Sequence, residues 1–387
     1  MTGVAMPAGF RAAGISAGIK DSGGPDLALV VNDGPEFTAA GVFTRNVIKA
    51  APVLWSQEVL RHNSLRAVVL NSGGANAATG PGGFQDTHAT AEKVAAVLDA
   101  GAADVAVCST GLIGERLPMD AVLSGVDTAA AALDTGTEAG LAAATAVMTT
   151  DSHPKQTHHT HPGGWSVGGL AKGAGMLAPD LATMLSVLTT DAVVDAGTAD
   201  RALRAATRVT FDRLDVDGGT STNDTVLLLA SGASGHTPSE ADFTALLTEA
   251  AAELVRLLRS DSEGATKEVD IVVRGAASER DAVAVGRTVA EDNLVKTALF
   301  GSDPNWGRIA MALGRADATI APETLAISIN GVILYAAGTT AASRDDADLS
   351  GREIEIVIDL GVGAESATIL TTDLSHAYVE ENSAYST

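Results

Sequence analysis

The chain has 387 residues, of which 46% are hydrophobic, yet it carries 41 glycines and only 13 aromatics (Phe 7, Tyr 3, Trp 3). That length fits two or three domains with aliphatic cores and close backbone approaches. A formal charge of −23 weighs against nucleic acid or an anionic membrane surface as a partner, and the single cysteine, Cys108, excludes an intrachain disulfide framework and a multi-cysteine zinc site.

At the N-terminus no basic region precedes an apolar run, so no signal peptide is expected, and with the lone cysteine this points to the cytoplasm. Leu27–Val31, Ala67–Leu70 and Val105–Cys108 read as short buried strands, and 87–100 and 127–148 as alanine-rich helices. Asp151–Gly169 holds two prolines, four glycines and four histidines and reads as irregular. Thr237-Pro238-Ser239-Glu240 combines capping-box spacing with proline at the first helical position. It opens a helix in which Phe243, Leu246, Leu247, Ala250, Leu254, Leu257 and Leu258 keep helical spacing. Glu268–Arg274 reads as a strand, and Glu279–Leu299 as one helix capped by Ser278. Asn330-Gly331, between Ala326–Ile329 and Val332–Tyr335, signals a hairpin. Ile354, Ile356, Ile358 and Leu360 then mark a half-buried strand. Strands and helices mix throughout, which favours α/β or α+β layers over a bundle or sandwich. The uncharged stretches 67–85 and 324–343 contain too many polar residues and glycines to span a membrane.

Several motifs carry little weight. Gly14-Ile15-Ser16-Ala17-Gly18 matches a nucleophile elbow in letters but sits in a glycine- and proline-punctuated segment, which favours a turn. Lys172 is followed by Gly173, so there is no lysine–hydroxyl pair of a Walker A loop. His153, His158, His159 and His161 lack a cysteine or acidic pair to complete a metal site. Cys108 ends an apolar strand and reads as a packing residue.

Three segments are harder to set aside. Lys172 lies in a glycine-dense stretch running into an apolar one, where an isolated ammonium is costly unless paired or functional. Ser109-Thr110-Gly111 places a hydroxyl and an unobstructed N–H at a strand end, the ingredients of an oxyanion hole and equally of a turn. Ser302-Asp303-Pro304-Asn305-Trp306-Gly307-Arg308 suits a ligand-positioning loop or a packing loop.

Taken together, these segments resemble the ornithine acetyltransferase (glutamate N-acetyltransferase) family. The resemblance rests on Lys172-Gly173-Ala174-Gly175-Met176, Ala178-Pro179 and Ala182-Thr183-Met184-Leu185. It extends in family order over Asn71–Ala77, Ser109-Thr110-Gly111, Met148-Thr149-Thr150-Asp151, Thr220–Asp224, Glu263–Lys267 and Asp303–Arg308, covering essentially the whole chain. The chain departs from the family at Gly219, where an aspartate is common, so no role is carried to that position.

The resemblance implies an N-terminal-nucleophile-like α/β/β/α layered fold with an accessory domain. It also implies self-cleavage between Ala182 and Thr183, giving an α chain of residues 1–182 and a β chain of 183–387 that stay together, usually as (αβ)₂. Thr183 is then the nucleophile, Thr110 and Gly111 the oxyanion-hole pair, and Thr149, Lys172, Thr183, Glu263, Asn382 and Thr387 the substrate contacts. The implied reaction is ping-pong transfer of acetyl from N2-acetylornithine to glutamate, needing no cofactor or metal, with acetyl-CoA a second donor in bifunctional members. Two rival readings are an N-terminal-threonine amidase or aminopeptidase with water as acceptor, and a non-enzymatic amino-acid-binding protein.

Overall fold

In the computed structural model, which describes residues 2–178 and 184–384, the continuous apolar runs become strands covered on both faces. The described residues form two compact units. One holds the described residues up to Asp212 together with Thr220–Leu258; the other holds Arg213–Gly219 and the described residues from Arg259 onward.

The first unit contains, in chain order, β1 (Phe10–Ile15), β2 (Leu27–Asn32), β3 (Thr38–Phe43), α1 (Ala51–Val59), β4 (Ala67–Gly74), α2 (Gly80–Leu98), β5 (Val105–Leu112), α3 (Met119–Ala131) and α4 (Gly136–Ala146). They are followed by β6 (Lys155–His161), β7 (Trp165–Lys172), β8 (Leu185–Thr190), α5 (Ala196–Val209), β9 (Thr225–Ala230) and α6 (Glu240–Ser260). One sheet has the order β1-β2-β4-β5, and a second has β3-β9-β8-β7-β6. Pairs β4–β5 and β8–β9 are parallel; the others are antiparallel.

Alternation then decides what each face buries. Ala28, Val30, Val68, Leu70, Ala106 and Cys108 pack towards Leu170, Leu185, Val187, Leu227 and Leu229 of the second sheet. The intervening Leu27, Leu29, Val31, Val69, Val105 and Val107 pack on Val94 of α2 and on Val122 and Val126 of α3. Across the second sheet, Trp165 meets Phe243 of α6, and Thr157 and His159 hydrogen-bond to Glu253 of α6. The result is a mixed α/β unit layered helix–sheet–sheet–helix, as the resemblance implied. Residues that follow position 183 supply β8, β9, α5 and α6 to it.

The second unit holds β10 (Glu268–Ala276), α7 (Glu279–Ala290), α8 (Asn293–Phe300), α9 (Trp306–Leu313), β11 (Ala326–Ile329), β12 (Val332–Ala336), β13 (Thr339–Thr340), β14 (Glu353–Asp359), β15 (Glu365–Thr372) and α10 (His376–Ala384). Its sheet order is β13-β12-β11-β14-β10-β15. Val269, Ile271, Val273, Ile354, Ile356 and Ile358 form a core with Val285, Val289, Leu299 and Leu313 of the helices. The hairpin turns at Asn330 (φ 46°) and Gly331 (φ 81°), as the dipeptide predicted.

Five expectations need correction. Asp151–Gly169 is not irregular: β6 and β7 pair as a hairpin, with Pro162, Gly163 and Gly164 confined to its turn. Gly168 within β7 leaves no room for a side chain, since a Cβ there would come 2.4 Å from the Gly3 carbonyl oxygen. The helix expected over 127–148 is two helices, interrupted where Asp134 exchanges backbone hydrogen bonds with Ala12; a run of alanines carries no stop signal. The helix expected over 87–100 starts earlier, at Gly80, with a proline in its first turn. The stretch 279–299 is also two helices, because Asp292 caps a new start by accepting from the N–H groups of Leu294 and Val295. Ser278 does cap the first of them. Finally, α6 is capped two residues later than read: Ser239, not Thr237, accepts the N–H of Asp242 at 3.1 Å.

The elbow-like letters are structural. Gly14 is on β1, and a Cβ there would lie 1.9 Å from the Ala142 carbonyl oxygen of α4. The following loop wraps its N–H groups at Ala17, Gly18, Ile19 and Lys20 around the buried Asp26 carboxylate. No described helix is long and apolar enough to cross a membrane.

Candidate active site

The parallel strands β4 and β5 run past their apolar cores and end side by side, Ser72 beside Thr110 and Gly73 beside Gly111. Polar side chains tie these ends down. Ser109 donates to Asn71 at 2.6 Å, and Asn223 donates to the carbonyls of Ala75 (2.6 Å) and Ser109 (2.8 Å). Gly111 has φ +129°, and a Cβ there would meet the Gly74 nitrogen at 2.5 Å. Only glycine fits both the conformation and the space.

Lys172, at the end of β7, is 1% exposed. Its ammonium donates to Thr149 Oγ1 at 2.9 Å and Thr110 Oγ1 at 3.1 Å. Asp151 organises the surrounding groups: its Oδ1 accepts from Lys155 Nζ at 2.6 Å and Gly173 N at 2.7 Å, and its Oδ2 from Thr149 N at 3.0 Å. Burial by itself would raise the Asp151 pKa, but the charges of Lys172 and Lys155, with the hydrogen bonds, outweigh it and hold the carboxyl below its ordinary value.

Asp224 behaves oppositely. It is wholly buried, and desolvation pushes its carboxyl well above the usual range despite the Met184 N–H and the charge of Lys172. Its Oδ1 accepts from Met184 N at 3.0 Å, while Oδ2 makes no hydrogen bond of ordinary geometry to a described residue. Thr225 N also donates to the Met184 carbonyl, at 3.1 Å. Both backbone polar groups of Met184 are therefore held by the consecutive residues Asp224 and Thr225. Leu185 pairs with Lys172 across β7–β8. The Lys172 ammonium, buried and in contact with the Thr110 hydroxyl, is placed to stabilise negative charge that develops there.

The structure thus brings Thr110, Gly111, Thr149 and Lys172 together. Ala182, Thr183 and Thr387 lie outside the described residues. In the second unit, Asn382 Nδ2 donates to Glu263 Oε2 at 2.8 Å, joining α10 to the loop before β10. Gly264 beside it has φ +61°, and a Cβ there would lie 2.2 Å from the Tyr378 nitrogen. Sequence reasoning assigned no role to Asp151, Lys155, Asn223 or Asp224, although Asp151, Asn223 and Asp224 stand inside quoted motifs. The available signal was a run of polar residues next to buried strands.

The remaining candidates resolve into structure. Asn305 caps α9 by accepting from Arg308 N at 3.2 Å, and Trp306 stacks on Tyr335, so 302–308 is a packing and capping segment. Cys108 is buried and its thiol is pushed up to about 12 by desolvation, too high for a thiolate nucleophile near neutrality. His158, His159 and His161 lie on β6, not on a loop, and His159 pairs with Glu253. No cluster suited to a metal ion occurs among the described residues.

Comparison with known proteins follows the same segments. The profile of the ArgJ family matches residues 11–387. The "Arginine biosynthesis bifunctional protein ArgJ" of Mycolicibacterium paratuberculosis is 61% identical over 99% of this chain and 96% of its own length. The protein of the same description from Thermobifida fusca is 56% identical over 99% of this chain and 100% of its own. A solved structure, ornithine acetyltransferase complexed with ornithine from Mycobacterium tuberculosis, is 63% identical over 46% of this chain and 95% of that chain, with a TM-score of 0.46.

Proposed function

The chain belongs to the ArgJ family, and from that premise we propose that it is a self-processing ornithine acetyltransferase of arginine biosynthesis. It moves acetyl from N2-acetylornithine to glutamate, with acetyl-CoA as a further donor. The observation that carries this reading is the placement of Lys172 between the Thr110 and Thr149 hydroxyls, beside Gly111 and across from Leu185.

The chemistry follows from the residue types. In the precursor, the Thr183 hydroxyl attacks the Ala182 carbonyl, the acyl group passes from nitrogen to oxygen, and water hydrolyses the ester. Asp224 and Thr225 support this step by fixing the Met184 backbone next to the nucleophile. Cleavage frees the Thr183 α-amine, whose class has a pKa of about 7.7–8.0, so it takes the proton of its own hydroxyl near neutral pH. Thr183 then attacks the acetyl carbonyl of N2-acetylornithine. The oxyanion is met by the Thr110 hydroxyl and the Gly111 N–H, with the Lys172 ammonium beside Thr110. Ornithine leaves with the returned proton, and the glutamate amine attacks the acetyl-threonine to regenerate the enzyme.

Lys172 and Thr149 suit a substrate carboxylate, and the Glu263–Asn382 pair and Thr387 complete the proposed recognition set, Glu263 taking an amine. The two chains stay associated as (αβ)₂ in the cytoplasm. Intact mass measurement of active protein tests the core of the reading. Chains of 182 and 205 residues are expected, the latter being the remainder of 387. Thr183→Ala should remain one inactive chain, and an active enzyme containing only full-length chain would end the proposal. Omitting glutamate separates transferase from hydrolase, since an amidase would release ornithine at an undiminished rate.

A further inference from the structure

On the first unit, the end of β3, the segment after it and α5 enclose an open cleft of about 720 Å³. Arg45 and Lys49 line it from one side, and Arg204 and Arg208, one turn apart on α5, from the other. Four basic residues among eleven in the lining contrast with 25 in a chain of 387 whose net charge is −23, so composition does not account for them. Asp212 also lines the cleft, and Asp200 pairs with Arg204 at 3.0 Å. Among the lining side chains themselves there are four cations and one anion. A basic residue in the last turn of α5 complements the helix dipole, which explains Arg208. It does not bear on Lys49, which stands on a different segment and forms no ion pair or side-chain hydrogen bond among the described residues.

The backbone adds donors. β3 is an edge strand. Ala39 N turns away from β9 to donate to Asn63 O, whereas Thr44 N donates to Asp224 on the β9 side. The strand alternates, so the N–H groups of Gly41 and Phe43 face the same outer side as that of Ala39, and both residues line the cleft.

We propose that this cleft binds a phosphorylated, nucleotide-sized anion, held by Arg45, Lys49, Arg204, Arg208 and the edge N–H groups of Gly41 and Phe43. The volume lies within the roughly 300–1,000 Å³ typical of small-molecule sites. Guanidinium groups bind phosphate oxygens in paired hydrogen bonds. Side chains one helical turn apart are separated by about 5–6 Å at Cβ, which suits two phosphoryl groups better than one carboxylate. The site does not depend on the acetyltransferase reading, and its test is separate from any activity assay.

Calorimetric titration of the full protein with inorganic pyrophosphate and with ADP, in salt of about 0.15 M where long-range charge effects are screened, tests the proposal. Saturable binding that the double variant Arg204→Glu/Arg208→Glu weakens at least tenfold is expected. Arg201→Glu, on the same helix but engaged with Glu240 instead of lining the cleft, should bind as the wild type does. Lys49→Glu tests the opposite wall and decides the matter if the double variant does not fold. Binding of both probes means that the cleft reads phosphate; binding of ADP alone means that it reads the nucleoside as well, and either supports the site. Failure to saturate with both probes, or binding indifferent to Lys49→Glu and to the double reversal, overturns it.

Discussion

Gly111→Ala is the most informative single change, because two separable effects coincide there. The backbone at φ +129° is a conformation that L side chains rarely adopt, and holding a non-glycine residue in such a region costs about 1–3 kcal/mol. In addition, the new Cβ would stand 2.5 Å from Gly74 N and 2.6 Å from Gly73 C, both backbone atoms of the neighbouring strand. Ordinary contact begins near 3.4 Å, so β4 and β5 would have to part by about 0.9 Å (3.4 − 2.5), an overpacking cost of about 1–3 kcal/mol. The sum is about 2–6 kcal/mol. Gly114→Ala is the control, since Gly114 also has positive φ (+93°) but nothing within 4 Å of its Cβ; it should lose only the strain, about 1–3 kcal/mol.

Denaturant unfolding of both variants gives the difference directly, and acetyl transfer measured below the unfolding range gives its functional counterpart. Displacement of the Gly111 N–H by a large part of an ångström should lower kcat about 10²-fold, with Gly114→Ala far less affected. If Gly111→Ala is no less stable than Gly114→Ala and transfers acetyl at the wild-type rate, then the strand ends are not a rigid platform.

Lys155→Met leaves Asp151 without its 2.6 Å partner, both side chains being buried, and should cost about 3–5 kcal/mol in urea unfolding. Because the folded Asp151 pKa is depressed, its stabilisation is present above the ordinary carboxylate value and is lost as pH falls through the folded value; the gap between wild type and variant should close below about pH 4. Asp215 runs the other way: burial, then the charge of Glu291, pushes it up to about 8, so its contribution is whole below the ordinary value and is lost as pH rises towards 8. The melting advantage of Asp215→Asn over wild type should therefore be larger at pH 8 than at pH 5, and an equal difference at both would refute this. Asp224→Asn, which preserves a neutral acceptor for Met184 N–H, should still mature into two chains. Asp224→Ala should mature more slowly, which electrophoresis over time would detect, and identical maturation would deny Asp224 a positioning role.

Local signals in the chain carried far in the second unit. The alternation of Ile354, Ile356 and Ile358, the Asn330-Gly331 turn and the Ser278 cap each depend on a few neighbouring residues, and each appears as read. Helix ends within alanine runs and the hairpin of β6 and β7 were not legible. What ended α3 was a backbone exchange with Ala12, and what requires glycine at position 168 is the Gly3 carbonyl, both remote in sequence.

The site divides along the same line. By itself the sequence determined the family, through motifs spread over nearly the whole chain, and through that resemblance it pointed to Thr110, Gly111, Thr149 and Lys172 as candidates. Only the tertiary structure decided how a buried ammonium is accommodated there. Asp151 is held ionised by two lysines, while Asp224, desolvated beside Met184, is driven towards its neutral form. The two carboxyl groups are chemically the same, and their difference arises from burial and neighbouring charge, which sequence spacing does not encode.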